Sequence, residues 1–205
     1  MVGCSSEEEN INSDESNVTI PVKAKINKLK PLDKNITDKN ITKVKKKIIE
    51  RKEFLLNDLN DNNHTIKIDN KNINISNVKS SLVLLNFFST WCQPCKGEIP
   101  YLVDLAKKYK NKLFIAGIVV NDSIDDSNLT QYVKKLNINY YVSNAKDNDE
   151  FMKVFAKKIE LKNDFIVPLL VLFKDGEYYT HYEGAVPIEM LEYDIKKAIK
   201  KGKVK

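Results

Sequence analysis

Residues 91–95 read Trp-Cys-Gln-Pro-Cys and join two segments of different pattern. Before them, residues 82–88 read Leu-Val-Leu-Leu-Asn-Phe-Phe, an almost unbroken apolar run that is typical of a strand buried on both faces of a sheet. After them, apolar side chains recur at the spacing of an amphipathic helix, at Ile99, Leu102, Val103, Leu105 and Ala106. The sequence therefore predicts that both cysteines lie where a central strand passes into a helix.

This position favours thiol chemistry. The first turn of a helix has free N–H groups and the positive end of the helix dipole, and both stabilise a thiolate. Cys92, at the helix start, is predicted to be the exposed attacking thiol. Cys95, one turn further in, is predicted to be more buried and to resolve the mixed disulfide. The reverse assignment of the two cysteines is the alternative.

Two cysteines separated by two residues can also hold a metal ion. A structural zinc site needs two further ligands, and the candidates elsewhere in the chain are Cys4 and the distant His64 and His181. We therefore predict a redox-active dithiol with no metal and no cofactor. A metal-binding module that uses the two cysteines as a clip remains an alternative.

Charge divides the chain into a leader and a domain. Residues 1–20 carry five acidic residues and no Lys or Arg, and residues 21–52 carry twelve basic and three acidic residues. Residues 53–205 are nearly balanced, with 22 basic and 20 acidic residues. We predict that residues 1–52 are a largely disordered tether or linker and that residues 53–205 form one domain. No aromatic residue lies among the lysines of residues 21–52, so a solvated spacer is favoured over a segment that binds nucleic acid.

The first six residues, Met-Val-Gly-Cys-Ser-Ser, resemble the end of a bacterial lipobox, in which a glycine precedes the cysteine that becomes lipid-modified. Cys4 is therefore a candidate lipidation site, and an ordinary surface cysteine is the alternative. A lipid on Cys4 implies that the domain works outside the cytoplasm, where a pair of cysteines must be actively kept reduced or oxidised.

Residues 53–205 alternate between strand and helix patterns. A hairpin with its turn over 58–64 is expected first, followed by a short strand over 72–75. Further strands are expected over 82–88, 113–120, 140–142, 169–173 and 177–183, and helices over 94–110, 126–136, 149–159 and 187–200. This order predicts an α/β domain with a mixed central sheet flanked by helices.

Residues 86–100, together with 166–168, 174–176 and 183–184, resemble the thioredoxin superfamily, and within it the TlpA/ResA-type thiol–disulfide oxidoreductases. The resemblance implies a thioredoxin-like fold with an N-terminal hairpin. It also implies a strand–helix insertion between the helix that carries the cysteines and the cis-proline strand, which we place within residues 121–147. Pro168 is expected to be the cis-proline that faces the cysteines, and the alternative is an ordinary trans-proline at the start of a strand. With Trp91 and Val167, it is expected to contact the substrate.

Glu98 follows Cys95 by three residues, so helix geometry places the two as neighbours on one face. Where thioredoxins keep a buried Asp, this chain has Asn86, which cannot accept a proton, and ResA-type proteins show the same combination. Glu98 is therefore predicted to be the base that takes the proton of Cys95. A surface acid stabilised by the helix dipole is the alternative.

The resemblance implies an extracytoplasmic enzyme, tethered to a bacterial membrane, that reduces disulfides in secreted clients or in clients of cytochrome c maturation. It implies electron supply from a membrane thiol reductase of the DsbD/CcdA kind, and no nucleic-acid partner is expected. A DsbA-like oxidant that introduces disulfides is the alternative direction.

Overall fold

The computed structural model describes residues 53–162 and 166–201, and these residues form eight strands and four helices. The strands are β1 (Glu53–Asn57), β2 (Asn63–Asp69), β3 (Asn72–Ile75), β4 (Leu82–Phe88), β5 (Leu113–Val119), β6 (Tyr141–Ser143), β7 (Leu169–Lys174) and β8 (Glu177–Glu183). The helices are α1 (Gln93–Lys108), α2 (Asp126–Lys135), α3 (Asn148–Lys158) and α4 (Ile188–Lys200). The predicted leader, residues 1–52 with Cys4, lies outside the described residues. Within the described ranges, every helix is too short or too polar to cross a membrane.

Strand β4 lies at the centre of a five-stranded mixed sheet of order β6–β5–β4–β7–β8. It pairs in parallel with β5 and antiparallel with β7, and the parallel register places Asn86 opposite Gly117. The sheet ends in an antiparallel hairpin of β7 and β8. The predicted α/β class with a mixed central sheet and flanking helices is therefore confirmed, since α1 follows β4 and the other helices connect or follow the outer strands.

The two faces of β4 have different neighbours because successive side chains of a strand point to opposite sides. On one side, Val83, Leu85 and Phe87 join a core formed with α3 and with the separate antiparallel sheet β1–β2–β3. On the other side, Leu82 and Leu84 pack with apolar residues of α1 and α4. Asn86 and Phe88 continue this second side toward the end of the strand where the cysteines follow.

Two features of the predicted order are refined. The expected insertion within 121–147 is present, but its helix α2 precedes its strand β6, and β6 begins at Tyr141, one residue later than expected. His64, which was placed in the hairpin turn, lies in β2 instead, where it pairs with Leu56. The Nδ1 atom of His64 is 2.7 Å from the carbonyl oxygen of Ser76, so this contact holds the residue in the sheet.

Candidate active site

The two cysteines of the motif form a disulfide at the start of α1. Cys92 is the N-cap of the helix, and its Sγ accepts a hydrogen bond from the backbone N–H of Cys95 at 3.2 Å. A negative charge on Cys92 after reduction would face this N–H and the positive end of the helix dipole. The strand–helix junction that the sequence predicts is therefore present, and it favours a thiolate on Cys92.

Cys92 is much less exposed than expected. Its relative exposure is 4%, so the expectation of an exposed first thiol is wrong for the disulfide form. Cys95, at 0%, is the more buried of the two, as expected. The reason is that the Sγ of Cys92, bonded to Cys95, packs in a small apolar cluster with Phe88 and Val119. Val167 packs against the same cluster.

The segment around Pro168 faces the disulfide. The peptide bond between Val167 and Pro168 is cis, as the resemblance implied. The carbonyl oxygen of Val167 lies 3.8 Å from the Sγ of Cys92. In the disulfide the sulfur carries no proton, so the two atoms are in contact without a hydrogen bond. After reduction, the Cys92 thiol could donate a hydrogen bond to the same oxygen. Pro168 is buried, and its carbonyl oxygen accepts a hydrogen bond from the N–H of Gly184 at 2.8 Å, so the residue that follows β8 supports this segment.

Trp91 lies beside the disulfide with 57% of its surface exposed. Its indole N–H donates to the carbonyl oxygen of Asn121 at 3.0 Å. The segment before the cysteines is bonded to the loop after β5, because Asp122 accepts hydrogen bonds from the backbone N–H of Thr90 at 2.6 Å and from its hydroxyl at 2.7 Å. An exposed aromatic ring is thus held in a fixed place next to the cysteines.

Glu98 is buried inside this end of α1. Its relative exposure is 8%, and neither carboxylate oxygen has a hydrogen-bond partner among the described residues. Burial raises the pKa of Glu98 to about 8, because a carboxylate removed from water is disfavoured relative to the neutral acid. The alternative of a surface acid at Glu98 is therefore wrong. In this disulfide form Glu98 is mostly protonated at neutral pH.

Asn86 lies on β4 with its side chain fully buried, and its amide also lacks a partner among the described residues. The sequence did not single out Tyr132, Tyr140 or Asp122, which the structure places around Asn86, Glu98 and the cysteine loop. For Asp122 a signal was available. It follows strand β5 closely, and the carboxyl ends of neighbouring parallel strands meet at one edge of a sheet.

Comparisons with known proteins agree with this geometry. The model of the AhpC/TSA family matches residues 46–168. The chain is 31% identical over 130 residues to the thiol-disulfide oxidoreductase ResA of Bacillus thuringiensis subsp. konkukian, covering 63% of this chain and 70% of that protein. It is 30% identical over 129 residues to ResA of Oceanobacillus iheyensis, covering 62% of each chain.

Solved structures show a similar fold. A thiol:disulfide interchange protein of the thioredoxin family from Chlorobium tepidum superposes with a TM-score of 0.57 at 23% identity, covering 73% of this chain and 95% of that one. StoA from Bacillus subtilis superposes with a TM-score of 0.50 at 17% identity, covering 69% and 95%. At these identities the likeness concerns the fold, and the sequence matches concern the activity. The chain, with its disulfide at the start of α1 and a cis-proline beside it, belongs to the AhpC/TSA family of the thioredoxin superfamily and is a thiol–disulfide oxidoreductase of the ResA type.

Proposed function

We propose that this oxidoreductase works as a reductant, outside the cytoplasm and tethered to a bacterial membrane, on disulfides of secreted clients that include those of cytochrome c maturation. The observation that carries the direction is the buried carboxyl group of Glu98, one turn of α1 after Cys95. An oxidant such as DsbA is strong because its reduced form is stabilised. The ionised fraction of Glu98, which grows as pH rises toward 8, opposes a thiolate on the nearby cysteines by like-charge repulsion, and this destabilises the reduced form.

The reaction then proceeds in two exchanges. The Cys92 thiolate attacks one sulfur of the client disulfide, and a mixed disulfide forms while the other client sulfur leaves as a thiolate and takes up a proton. The Cys95 thiol gives its proton to Glu98 in its ionised form and attacks the Sγ of Cys92, which releases the second client thiolate. The client gains two electrons, and the enzyme is left with the Cys92–Cys95 disulfide.

The same carboxyl group serves the return step. When a thiolate of the electron donor attacks Cys92, the sulfur of Cys95 leaves with a negative charge. Glu98, neutral in the disulfide form at neutral pH, is placed to give that sulfur a proton. The electron donor is proposed to be a membrane thiol reductase of the DsbD/CcdA kind. This proposal is supported by the resemblance to TlpA/ResA-type proteins.

Client binding is proposed at Trp91, Val167 and Pro168. Trp91 offers an exposed ring on one side of the disulfide, and the cis-proline segment lies on the other, with the Val167 carbonyl against Cys92. An extended client strand can pair with an irregular segment of this kind through its backbone, so recognition does not need a particular client sequence.

We expect the Cys92–Cys95 couple to have a reduction potential near that of thioredoxin, about −270 mV. The measurement is equilibration of the purified domain in dithiothreitol buffers of defined ratio, with thiols counted by mass spectrometry after alkylation. A potential near that of DsbA, about −120 mV, would reject the reductant and favour the oxidant.

We expect Cys4 to carry a diacylglyceryl group in the bacterium from which the chain comes. The support is the Gly3-Cys4 pattern followed by the polar leader. The measurement is mass spectrometry of the N-terminal peptide from the native protein, together with its share in the membrane fraction. A free Cys4 in a native protein recovered outside the membrane fraction would contradict the lipid anchor and leave the redox proposal intact.

A further inference from the structure

Four polar side chains with unpartnered atoms lie together behind the disulfide. They are the amide of Asn86, the carboxylate of Glu98 and the hydroxyls of Tyr132 and Tyr140, all of them buried and without a hydrogen bond among the described residues. In folded proteins most buried polar groups are paired, so a concentration of unpaired groups calls for an explanation. We call these four residues the polar cluster.

The fold brings the polar cluster together through a missing side chain. Gly117 on β5 lies directly opposite Asn86 on β4, and the ring of Tyr140 fills the space above it. A Cβ atom at position 117 would lie 3.4 Å from Cε2 of Tyr140 and 3.0 Å from Cε1 of Phe88. The glycine therefore allows Tyr140 to reach in beside Asn86.

Tyr132 continues the polar cluster outward. Its ring stacks on Phe88 with 6.3 Å between centroids, so α2 brings it to the same side of the sheet. Asn139 fixes the segment before β6 by donating its side-chain N–H to the carbonyl oxygen of Val103 on α1 at 3.3 Å. Tyr140 is thus held between α1, which carries Glu98, and α2, which carries Tyr132.

Electrostatic interactions connect the two tyrosines of the polar cluster with Glu98 and with Asp122. Burial, the Glu98 charge and Tyr132 raise the pKa of Tyr140, and the neighbouring side-chain amide of Asn86 lowers it. Burial and then the charge of Asp122 raise the pKa of Tyr132 to about 12. Tyr140 thus interacts with Glu98 and with Tyr132, and Tyr132 interacts with Asp122, which lies half-buried in the loop after β5.

We propose that the hydroxyls of Tyr140 and Tyr132 connect Glu98 with solvent at Asp122, and that Tyr140 is a positioning residue that donates a hydrogen bond to Glu98 when its carboxylate is ionised. Glu98 exchanges protons with solvent along these hydroxyls, directly or through a bridging water, so it can lose or regain a proton between the two exchanges, and no electron moves with it. This inference rests on the proposed role of Glu98. The ionisable groups that face the polar cluster are the cysteines of α1, Tyr132 on α2, Tyr140 before β6 and Asp122 after β5.

Tyr140→Phe should raise the pH at which Glu98 loses its proton. The variant keeps the ring over Gly117 and removes the donor, so the carboxylate is less stabilised and its pKa rises. The free energy of a hydrogen bond to a charged group corresponds to a pKa shift of about one unit. We expect the resolution of the mixed disulfide to reach half of its maximal rate about one pH unit higher than in the wild type.

The test combines carboxyl ¹³C NMR titration of Glu98 with stopped-flow resolution rates from pH 5 to 10. Tyr141→Phe is the matched control, because its hydroxyl donates to the carbonyl oxygen of Asn62 and lies away from the polar cluster. Both variants are also made with Glu98→Gln. We expect Tyr140→Phe to shift both profiles, Tyr141→Phe to shift neither, and the shift in rate to vanish in the Glu98→Gln background.

The outcomes separate the two proposals. If Glu98→Gln alone leaves the rate profile unchanged, the role of Glu98 is rejected. If Glu98→Gln changes it but Tyr140→Phe moves neither the NMR titration nor the rates, only the part assigned to Tyr140 is overturned. The NMR titration does not depend on turnover, so it decides the matter even for a variant with low activity.

Discussion

Replacing Cys92 with serine will reduce catalysed reduction of insulin disulfides to the uncatalysed rate, whereas Cys95→Ser will form a mixed disulfide and hold it. Cys92 is the cysteine that retains some exposure, and its Sγ lies at the helix N-terminus beside the Val167 carbonyl. Cys95 is fully buried and meets another sulfur only through Cys92. A serine hydroxyl at position 92 is not a nucleophile toward disulfides at neutral pH, so no first exchange occurs. The measurement is insulin turbidity followed by mass spectrometry of trapped adducts.

Cys4→Ser is the control for this pair, because it removes a thiol from the leader and leaves both active-site thiols in place. It should turn over insulin like the wild type. Adducts that accumulate on Cys95 in the Cys92→Ser protein, with turnover retained, would reverse the assignment of the two cysteines.

Glu98→Gln will slow resolution of the mixed disulfide by about 100-fold, the lower end of what loss of a general base costs. Glutamine nearly matches glutamate in shape and helix propensity, so α1 should be preserved. Formation of the mixed disulfide should slow much less, because Cys92 keeps the helix N-terminus. The wild-type resolution rate should rise with pH as Glu98 ionises, and this rise should be absent from the variant.

Stopped-flow comparison of both exchanges from pH 5 to 9 tests this expectation. Glu150→Gln, an acid exposed on α3, is the matched control for removing one carboxylate. Superimposable profiles for the wild type and Glu98→Gln would show that the proton of Cys95 goes elsewhere.

Stability gives an independent check on the state of Glu98. Its pKa in the folded disulfide form is about 8, against an ordinary value of 4.5, so the folded protein binds this proton more tightly than the unfolded chain. The stabilisation is complete below pH 4.5 and is lost as pH rises through about 8, a decrease on the order of 5 kcal/mol. Urea unfolding of the oxidised protein at several pH values should show this decrease in the wild type, and Glu98→Gln should show it much more weakly.

The sequence predicted the elements of this fold well, because long apolar runs and helical periodicity reflect burial directly. Strand β4 and helix α1 are clear for this reason, and the position of the cysteines between them follows from the order of the chain. The burial of Glu98 was harder to foresee. Its spacing from Cys95 indicates a shared helix face, but only the packing of α1 on the sheet decides whether that face meets water.

The remaining features depend on register and on contacts between distant segments. Tyr140 lies over Gly117 only because β5 pairs with β4 in one particular register and the segment before β6 turns back toward α1. Thr90 and Asp122 are 32 residues apart and meet only when β4 and β5 lie side by side. The low exposure of Cys92 depends in part on Val167, which lies 75 residues further along the chain. Local sequence patterns carry none of this information.

Strand β4 also bears on how such a protein can change over generations. On one side, Val83, Leu85 and Phe87 pack in the apolar core, whereas Asn86 on the opposite side lies beside Tyr140. We expect mutations on the first side to change the stability of the folded state and to leave the proposed proton transfer at Glu98 unchanged. Mutations on the second side can retune that chemistry with the core intact. The two sides of this seven-residue strand can therefore evolve separately, one changing the stability of the fold and the other the proposed proton transfer.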